Sequence, residues 1–167
     1  MIQLYTGEGK GKTTASLGLA LRALGHGWKV LMVQFMKKGE EYGEMRMAGR
    51  LENLEIEQFG SGAFILSKPS EGDRFLAQKG LERACSAALQ DYKLVILDEF
   101  LGAIALGLVS LEEAEHLLES WPKEIELVLT GRNAPPKLID MADLVSEIRE
   151  IKHPYREGIP ARPGIEY

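Results

Sequence analysis

The sequence predicts an α/β fold with three layers, in which helices cover both faces of a mainly parallel central sheet. Three observations indicate this fold. A short apolar strand at residues 2–6 runs into a glycine-rich loop, and a helix and a second apolar strand follow, which is the order of a βαβ unit. Further along the chain, strand-length apolar stretches alternate with stretches of helical periodicity. One apolar strand, at residues 94–97, ends in two adjacent carboxylates.

Each element has its own sequence signal. Apolar runs or alternation predict strands at 2–6, 29–35, 54–59, 94–97, 125–130 and 144–151. Helical spacing predicts helices at 13–24, within 36–50, at 73–90, at 111–120 and from Pro135 or Pro136 to about 141. Asp73 and Ser110 are the expected N-caps of the helices at 73–90 and 111–120, because their side chains can accept a hydrogen bond from a free backbone N–H. A tail rich in proline and glycine follows.

The length and net charge of the chain restrict the number of domains and the classes of partner to expect. The chain has 167 residues, which suits one domain over 1–167, and its net charge is −5. A nucleic-acid partner is not expected, because it usually requires a basic face. No stretch approaches the ~18 apolar residues of a membrane helix, and we expect no signal peptide before the glycine-rich loop. We therefore expect a cytoplasmic protein that acts on a small molecule, away from membranes.

The glycine-rich loop has the composition of a phosphate-binding loop. Its residues are Gly7, Glu8, Gly9, Lys10, Gly11, Lys12, Thr13 and Thr14. Glycine allows several backbone N–H groups to point at one phosphate, and the N-terminus of the next helix adds a positive dipole end. Lys12 supplies charge to the phosphates, and the Thr13 hydroxyl is expected to bind Mg²⁺. With a strand before it and a helix after it, the loop predicts a P-loop NTPase-like (RecA-like) fold.

The loop differs from the general pattern G-x-x-x-x-G-K-[ST]. Thr6 stands where the pattern has its first glycine, and Gly7 follows one residue later. Lys10 places a second lysine inside the loop. Ordinary nucleotide hydrolysis therefore does not follow automatically from this loop.

Polar residues follow two other predicted strands. Asp98 and Glu99 end the strand at 94–97, at the edge where open α/β sheets bind ligands, and carboxylates there can hold Mg²⁺ directly or through water. The sequence leaves open which of the two meets the metal. Arg132 follows the strand at 125–130 and can reach a phosphate or form a surface salt bridge. No nucleophile–base or zinc-ligand pattern is present, so no protein nucleophile is evident.

The chain resembles the P-loop type of ATP:corrinoid adenosyltransferases, the enzymes that make adenosylcobalamin. Residues 7–14 are similar to the G-x-G-K-G-K-T-T loop of that family. Further matching segments lie at 21–27, 33–37, 95–99, 129–135, 152–155, 158–159 and 164–167. The resemblance therefore spans almost the whole chain.

The resemblance implies a reaction that needs no protein nucleophile. A reduced Co(I) corrinoid attacks the 5′ carbon of ATP, and triphosphate leaves, so the protein has to position ATP and neutralise the leaving charge. By analogy, Lys12, Thr13 and Glu99 are the catalytic residues, and Thr13 and Glu99 bind Mg²⁺ with Asp98 as support. The resemblance also implies a homodimer and an electron-donor partner such as a flavodoxin.

The departures from the family pattern fall on the corrinoid side. The family has a G-F-T-W-like segment that packs on the corrinoid. Here Phe64 is retained and Leu66 stands where tryptophan is expected, so we predict corrinoid contacts at both positions. Phe64 as a core hydrophobe is the alternative. Phe100 and Leu101 replace a polar–tyrosine pair, and Arg162 replaces a glutamine.

Two other functions remain open from the sequence. Lys12, Thr13 and the acid pair would also suit a P-loop ATPase or kinase, which would release phosphate or ADP. The leucine at position 66 is consistent with a non-catalytic nucleotide-binding paralogue.

Overall fold

A computed structural model describes residues 1–62 and 68–167. Its central sheet has six strands, and every paired strand is parallel to its neighbour. The strands are β1 (Ile2–Thr6), β2 (Val30–Phe35), β3 (Leu54–Phe59), β4 (Leu94–Asp98), β5 (Glu126–Thr130) and β6 (Leu144–Glu147). Their order is β3-β2-β4-β5-β1-β6. The predicted parallel sheet is confirmed, and the last strand ends four residues earlier than expected.

Six α-helices and one 3₁₀ turn lie in the described ranges. The helices are α1 (Lys12–Gly25), α2 (Gly43–Ala48), α3 (Glu71–Ala87), α4 (Phe100–Ala105), α5 (Leu111–Ser120) and α6 (Pro136–Met141), and the turn is Pro154–Glu157. The helix α4 was not predicted from the sequence. Within the described ranges, no helix combines the length and the apolar character needed to cross a bilayer.

Of the two N-caps predicted from the sequence, for α3 and α5, one is confirmed. Ser110 caps α5, as expected. The prediction for α3 was wrong, because Ser70 is its N-cap and Asp73 lies at the third helical position. The Ser70 hydroxyl accepts from the Asp73 N–H at 3.1 Å, and the Asp73 carboxylate accepts from the Ser70 N–H at 3.0 Å. This is a capping box, which satisfies two backbone donors at once.

Each face of the sheet carries an apolar core. Alternate residues of β2 enter the two cores, with Met32 on the side of α1 and α2, and Leu31 on the side of the other helices. β2 is buried at every position, as expected for an internal parallel strand. The helices contribute small side chains such as Ala20 and Ala84, which bring them close to the sheet. The predicted three-layer arrangement is confirmed.

The strand order places the functional segments at one edge. β5 lies between β1 and β4, and the three strands are parallel, so their carboxyl ends meet at the same side of the sheet. The glycine-rich loop follows β1, Glu99 follows β4, and Arg132 lies two residues after β5. This is the edge at which open α/β sheets bind their ligands.

Candidate functional site

The glycine-rich loop packs against the backbone that follows β6. The Gly9 N–H donates to the Ile148 carbonyl at 2.8 Å. A Cβ atom at Gly7 would lie 2.5 Å from the Ile148 oxygen, and one at Gly9 would lie 2.7 Å from the Arg149 carbonyl carbon. Gly11 has open space around it, but its φ of 125° favours glycine. Close backbone packing therefore requires glycine at two loop positions even before a phosphate is considered.

Lys12 begins α1 and is buried, with 6% of its surface exposed. Its Nζ donates to the carbonyl oxygens of Gly7 at 2.6 Å and Gly9 at 2.7 Å. Burial lowers the pKa of Lys12, although the nearby Glu99 carboxylate opposes this shift. Among residues 1–62 and 68–167, no side chain caps α1, and the N-terminus of a helix favours an anion.

Asp98 is completely buried, and its carboxylate accepts four hydrogen bonds. The hydroxyls of Thr13 and Thr130 each donate to Oδ1 at 2.8 Å. The Lys37 ammonium donates to Oδ2 at 2.7 Å, and the Gln34 amide donates to the same oxygen at 3.2 Å. A carboxylate has about four lone-pair sites, so these contacts occupy the whole group. Asp98 therefore fixes the orientation of Thr13.

Lys37 is the counterion of this buried carboxylate. Burial acts to lower its pKa, but the charge of Asp98 and their hydrogen bond outweigh burial, so the pKa of Lys37 is raised. Its Nζ also lies 3.9 Å from Glu44 on α2. Sequence reasoning did not assign Gln34 or Lys37 to the site. A polar residue near the end of an apolar strand could have indicated Gln34, which pairs in register with Asp98. Lys37 follows the same strand by two residues.

Glu99 presents the second carboxylate to the site. Its backbone is left-handed, with φ of 59°, and its N–H donates to the Thr130 hydroxyl at 3.0 Å. Burial raises the pKa of Glu99, and the neighbouring Asp98 raises it further. Among the described residues, no hydrogen bond or ion pair reaches the Glu99 carboxylate. Glu99 is therefore the member of the acid pair that can meet a ligand.

These groups surround a pocket of about 290 Å³. Its lining residues are Gly9, Lys10, Gly11, Lys12, Thr13, Thr14, Glu99, Arg132, His153, Ile165 and Glu166. Most of the residues expected at a nucleotide site thus lie together. Gly7 and Glu8 do not line this pocket, and an exposed ion pair of 3.4 Å joins Glu8 to Arg132.

The C-terminal tail closes one side of the pocket. Lys10 Nζ donates to the Ile165 carbonyl at 3.0 Å and lies 3.7 Å from Glu166. His153 lines the pocket, whereas Lys152 forms an ion pair with Glu157 at 3.1 Å. Ile165 and Glu166 were not predicted at the site, because nothing in the sequence pattern indicates where an irregular tail packs against the fold.

A larger open groove adjoins this pocket and shares Arg132 and His153 with it. Its volume is about 960 Å³, and its remaining lining residues are Glu8, Glu147, Arg149, Glu150, Ile151, Tyr155 and Arg156. The predicted corrinoid contacts at Phe64 and Leu66 lie outside the described residues.

The family model and three similar proteins that match this chain all belong to one family. The family model described as "ATP:corrinoid adenosyltransferase BtuR/CobO/CobP" matches residues 1–167. The chain belongs to this family. The corrinoid adenosyltransferases of Escherichia coli and a Sinorhizobium species are each 35% identical to it, over all of this chain and 85% and 80% of the respective relative. "Corrinoid adenosyltransferase CobA" of Salmonella typhimurium is 34% identical over all of this chain and 85% of its own length. The resemblance inferred from the motifs is confirmed.

Proposed function

We propose that this chain is an ATP:corrinoid adenosyltransferase. It transfers the 5′-deoxyadenosyl group of ATP to the Co(I) centre of a corrinoid, cob(I)alamin or cobinamide, and releases triphosphate, as a step of adenosylcobalamin biosynthesis. Family membership over the full length of the chain carries this proposal. The pocket formed by Lys12, Thr13, Glu99 and Arg132 supports the nucleotide half.

The protein's part in the reaction is to hold ATP and stabilise the leaving triphosphate. The N-terminus of α1 and the amides of residues 10–14 offer donors to phosphate oxygens, whereas the Gly9 N–H is taken by the Ile148 carbonyl. Lys12 would exchange the carbonyls of Gly7 and Gly9 for a phosphate, and Lys10 and Arg132 would add positive charge. Because the cobalt is the nucleophile, no side chain has to attack carbon or remove a proton.

The residues also fit a Mg²⁺ ion bound with the nucleotide. The Thr13 hydroxyl donates its hydrogen bond to Asp98, which leaves the lone pairs of the hydroxyl oxygen for a metal. Glu99 supplies a carboxylate, and both ligands are the hard oxygen donors that Mg²⁺ prefers. Within residues 1–62 and 68–167, no three His, Cys, Asp or Glu side chains form a metal cluster, so phosphate oxygens would complete the coordination. The ion would neutralise charge that develops on the triphosphate.

An adenosylation assay tests the function directly. It combines the protein, ATP, Mg²⁺ and chemically reduced cobalamin, with cobinamide in parallel, and we expect adenosylated corrinoid and triphosphate in equal amounts. Folded protein that forms neither product contradicts the proposal. Phosphate or ADP in their place would indicate an ATPase or kinase, and tight ATP binding without any product would indicate a non-catalytic paralogue.

Replacement of Lys12 tests the nucleotide site. We expect Lys12→Ala to reduce adenosyl transfer by at least ~100-fold, because the leaving triphosphate loses its buried cation. Circular dichroism would establish that the variant is folded. Lys123→Ala, which changes an exposed lysine before β5 at the opposite edge of the sheet, is the matched control and should keep full activity. Equal activity of the two variants would remove Lys12 from the mechanism.

On the corrinoid side, we infer that Phe64 and Leu66 contact the corrinoid, an inference supported by the family pattern. Leu66→Trp would restore the aromatic side chain, and we expect it to lower the KM for cobalamin while leaving the KM for ATP unchanged. An unchanged KM for cobalamin would argue against contact at this position.

The assembly and its setting remain predictions from the family resemblance. We expect a homodimer, measurable by light scattering. We also expect a cytoplasmic location and a flavodoxin-like electron donor.

A further inference from the structure

The C-terminal residues form a closed turn beside the glycine-rich loop. The Gly164 N–H donates to the Tyr167 carbonyl at 2.7 Å, and the N–H groups of Ile165 and Glu166 both donate to the Arg162 carbonyl. The Glu166 carboxylate accepts from the Arg162 N–H at 2.7 Å and from its guanidinium at 3.1 Å. The turn thus holds Glu166 in one orientation through its own contacts.

This turn contacts the loop through Lys10. The Lys10 ammonium donates to the Ile165 carbonyl at 3.0 Å, and the Glu166 carboxylate lies 3.7 Å away on the same side. All three residues line the pocket that also contains Lys12 and Thr13. The Arg162 side-chain and backbone hydrogen bonds lower the pKa of Glu166 to about 2, so its charge is present at neutral pH.

We propose that Glu166 is a positioning residue for Lys10, and that the C-terminal turn is thereby one wall of the triphosphate site. This inference rests on the nucleotide half of the proposed function. An ammonium has three donors, and the Ile165 carbonyl takes one of them, so others remain for phosphate oxygens. Holding the flexible lysine side chain in place before ATP arrives lowers the entropy lost on binding.

The geometry favours this positioning role over a role in which Glu166 competes with phosphate for the Lys10 ammonium. Arg162 already matches the charge of Glu166 with two kinds of hydrogen bond. Lys10 is held less closely, at 3.7 Å, and remains 41% exposed. A phosphate can therefore bind Lys10 without breaking a tight bidentate ion pair.

A double-mutant cycle tests the proposal by calorimetric titration with Mg²⁺–ATP and, separately, with inorganic tripolyphosphate. We expect Glu166→Gln to weaken both ligands about threefold, as suits a partly exposed pair. Lys10→Met should weaken them about tenfold or more, because a charged hydrogen bond is lost. Adding Glu166→Gln to Lys10→Met should then change nothing further, since the lysine that Glu166 positions is gone.

Glu157→Gln is the matched control, because this tail carboxylate pairs with Lys152 and not with the loop. It should leave both affinities unchanged. Tighter binding by Glu166→Gln would overturn the proposal, since the carboxylate would then be competing with phosphate. If Glu166→Gln weakens binding as much in the Lys10→Met variant as in the wild type, Glu166 has only a structural role in the turn. This outcome would also overturn the proposal. Failure of the wild-type protein to bind either ligand would contradict the proposed function itself, whereas wild-type affinity in Glu166→Gln would contradict this inference alone.

Discussion

Charged residues stand on two sides of the pocket beside the glycine-rich loop, at very different depths. The inner wall is the network of Thr13, Gln34, Lys37, Asp98 and Thr130, of which Thr13 lines the pocket and the others lie behind it. Its central ion pair, between Lys37 and Asp98, has side chains 17% and 0% exposed. The outer wall is Lys10, Arg132, His153 and Glu166, where the two cations are 41% and 59% exposed.

Burial decides what each wall can do. Opposite charges attract strongly away from water, and a buried charge that loses its partner is costly. Exposed pairs contribute about 0–1 kcal/mol and exchange partners easily. The inner wall therefore fixes the orientation of the Thr13 side chain, whereas the exposed cations of the outer wall can bind a ligand.

The largest expected effect comes from breaking the inner ion pair. Lys37→Met keeps the length of the side chain and leaves the Asp98 charge with neutral donors only. We expect the free energy of unfolding to fall by about 3–5 kcal/mol, measured by urea denaturation. Replacing Asp98 by Asn in the same variant should recover part of this loss, because the unpaired charge is removed.

Lys152→Met is the control from the exposed part of the molecule. Its ammonium pairs with Glu157, and the side chain is 81% exposed, so the change should cost no more than about 1 kcal/mol. Equal losses in the two variants would mean that the depth of the charges does not distinguish the walls.

An added methyl group should destabilise the protein at a glycine of the loop between the walls, but not at a glycine of α1. In Gly9→Ala the new Cβ would meet the backbone of Ile148 and Arg149 at distances of 2.7–2.8 Å. We expect a loss of about 1–3 kcal/mol in unfolding free energy, as for overpacking in a core. Gly18, inside α1, has nothing within 4 Å of the same atom, and Gly18→Ala should stabilise the protein by about 0.5–1 kcal/mol. A Gly9→Ala variant as stable as the wild type would show that the backbone after β6 moves to make room for the added methyl group.

Sequence patterns predicted the fold well because local signals decide it. The apolar run of β1, the glycine-rich loop and the helical spacing of α1 each follow from neighbouring residues, and the alternation of strands and helices leads to a parallel sheet. The cap of α3 was missed by three residues, because both Ser70 and Asp73 are good cap residues and only geometry orders them. The helix α4 was missed because it is short and directly follows the acid pair.

The site was predicted less completely, for a physical reason. Lys12, Thr13 and Glu99 belong to motifs that lie within single segments of the chain. Lys37 pairs with Asp98, which is 61 residues away in the sequence, and Glu166 lies beside Lys10, which is 156 residues away. These pairings depend on strand order and on the path of the tail. The division of roles between Asp98 and Glu99 likewise depends on burial, which adjacent positions in a sequence do not reveal.

The smallest effect expected concerns the outer wall and pH. Arg162 lowers the pKa of Glu166 from an ordinary value of 4.5 to about 2 in the folded protein. The contribution of this contact to stability is therefore fully present above pH 4.5, and it is lost as the pH falls from 4.5 towards 2. An NMR titration of the Glu166 side-chain carboxyl should show the low value, and Arg162→Gln should return it towards 4.5. A wild-type value near 4.5 would mean that the C-terminal turn is open in solution, and the outer wall would then lack the element that orients Lys10.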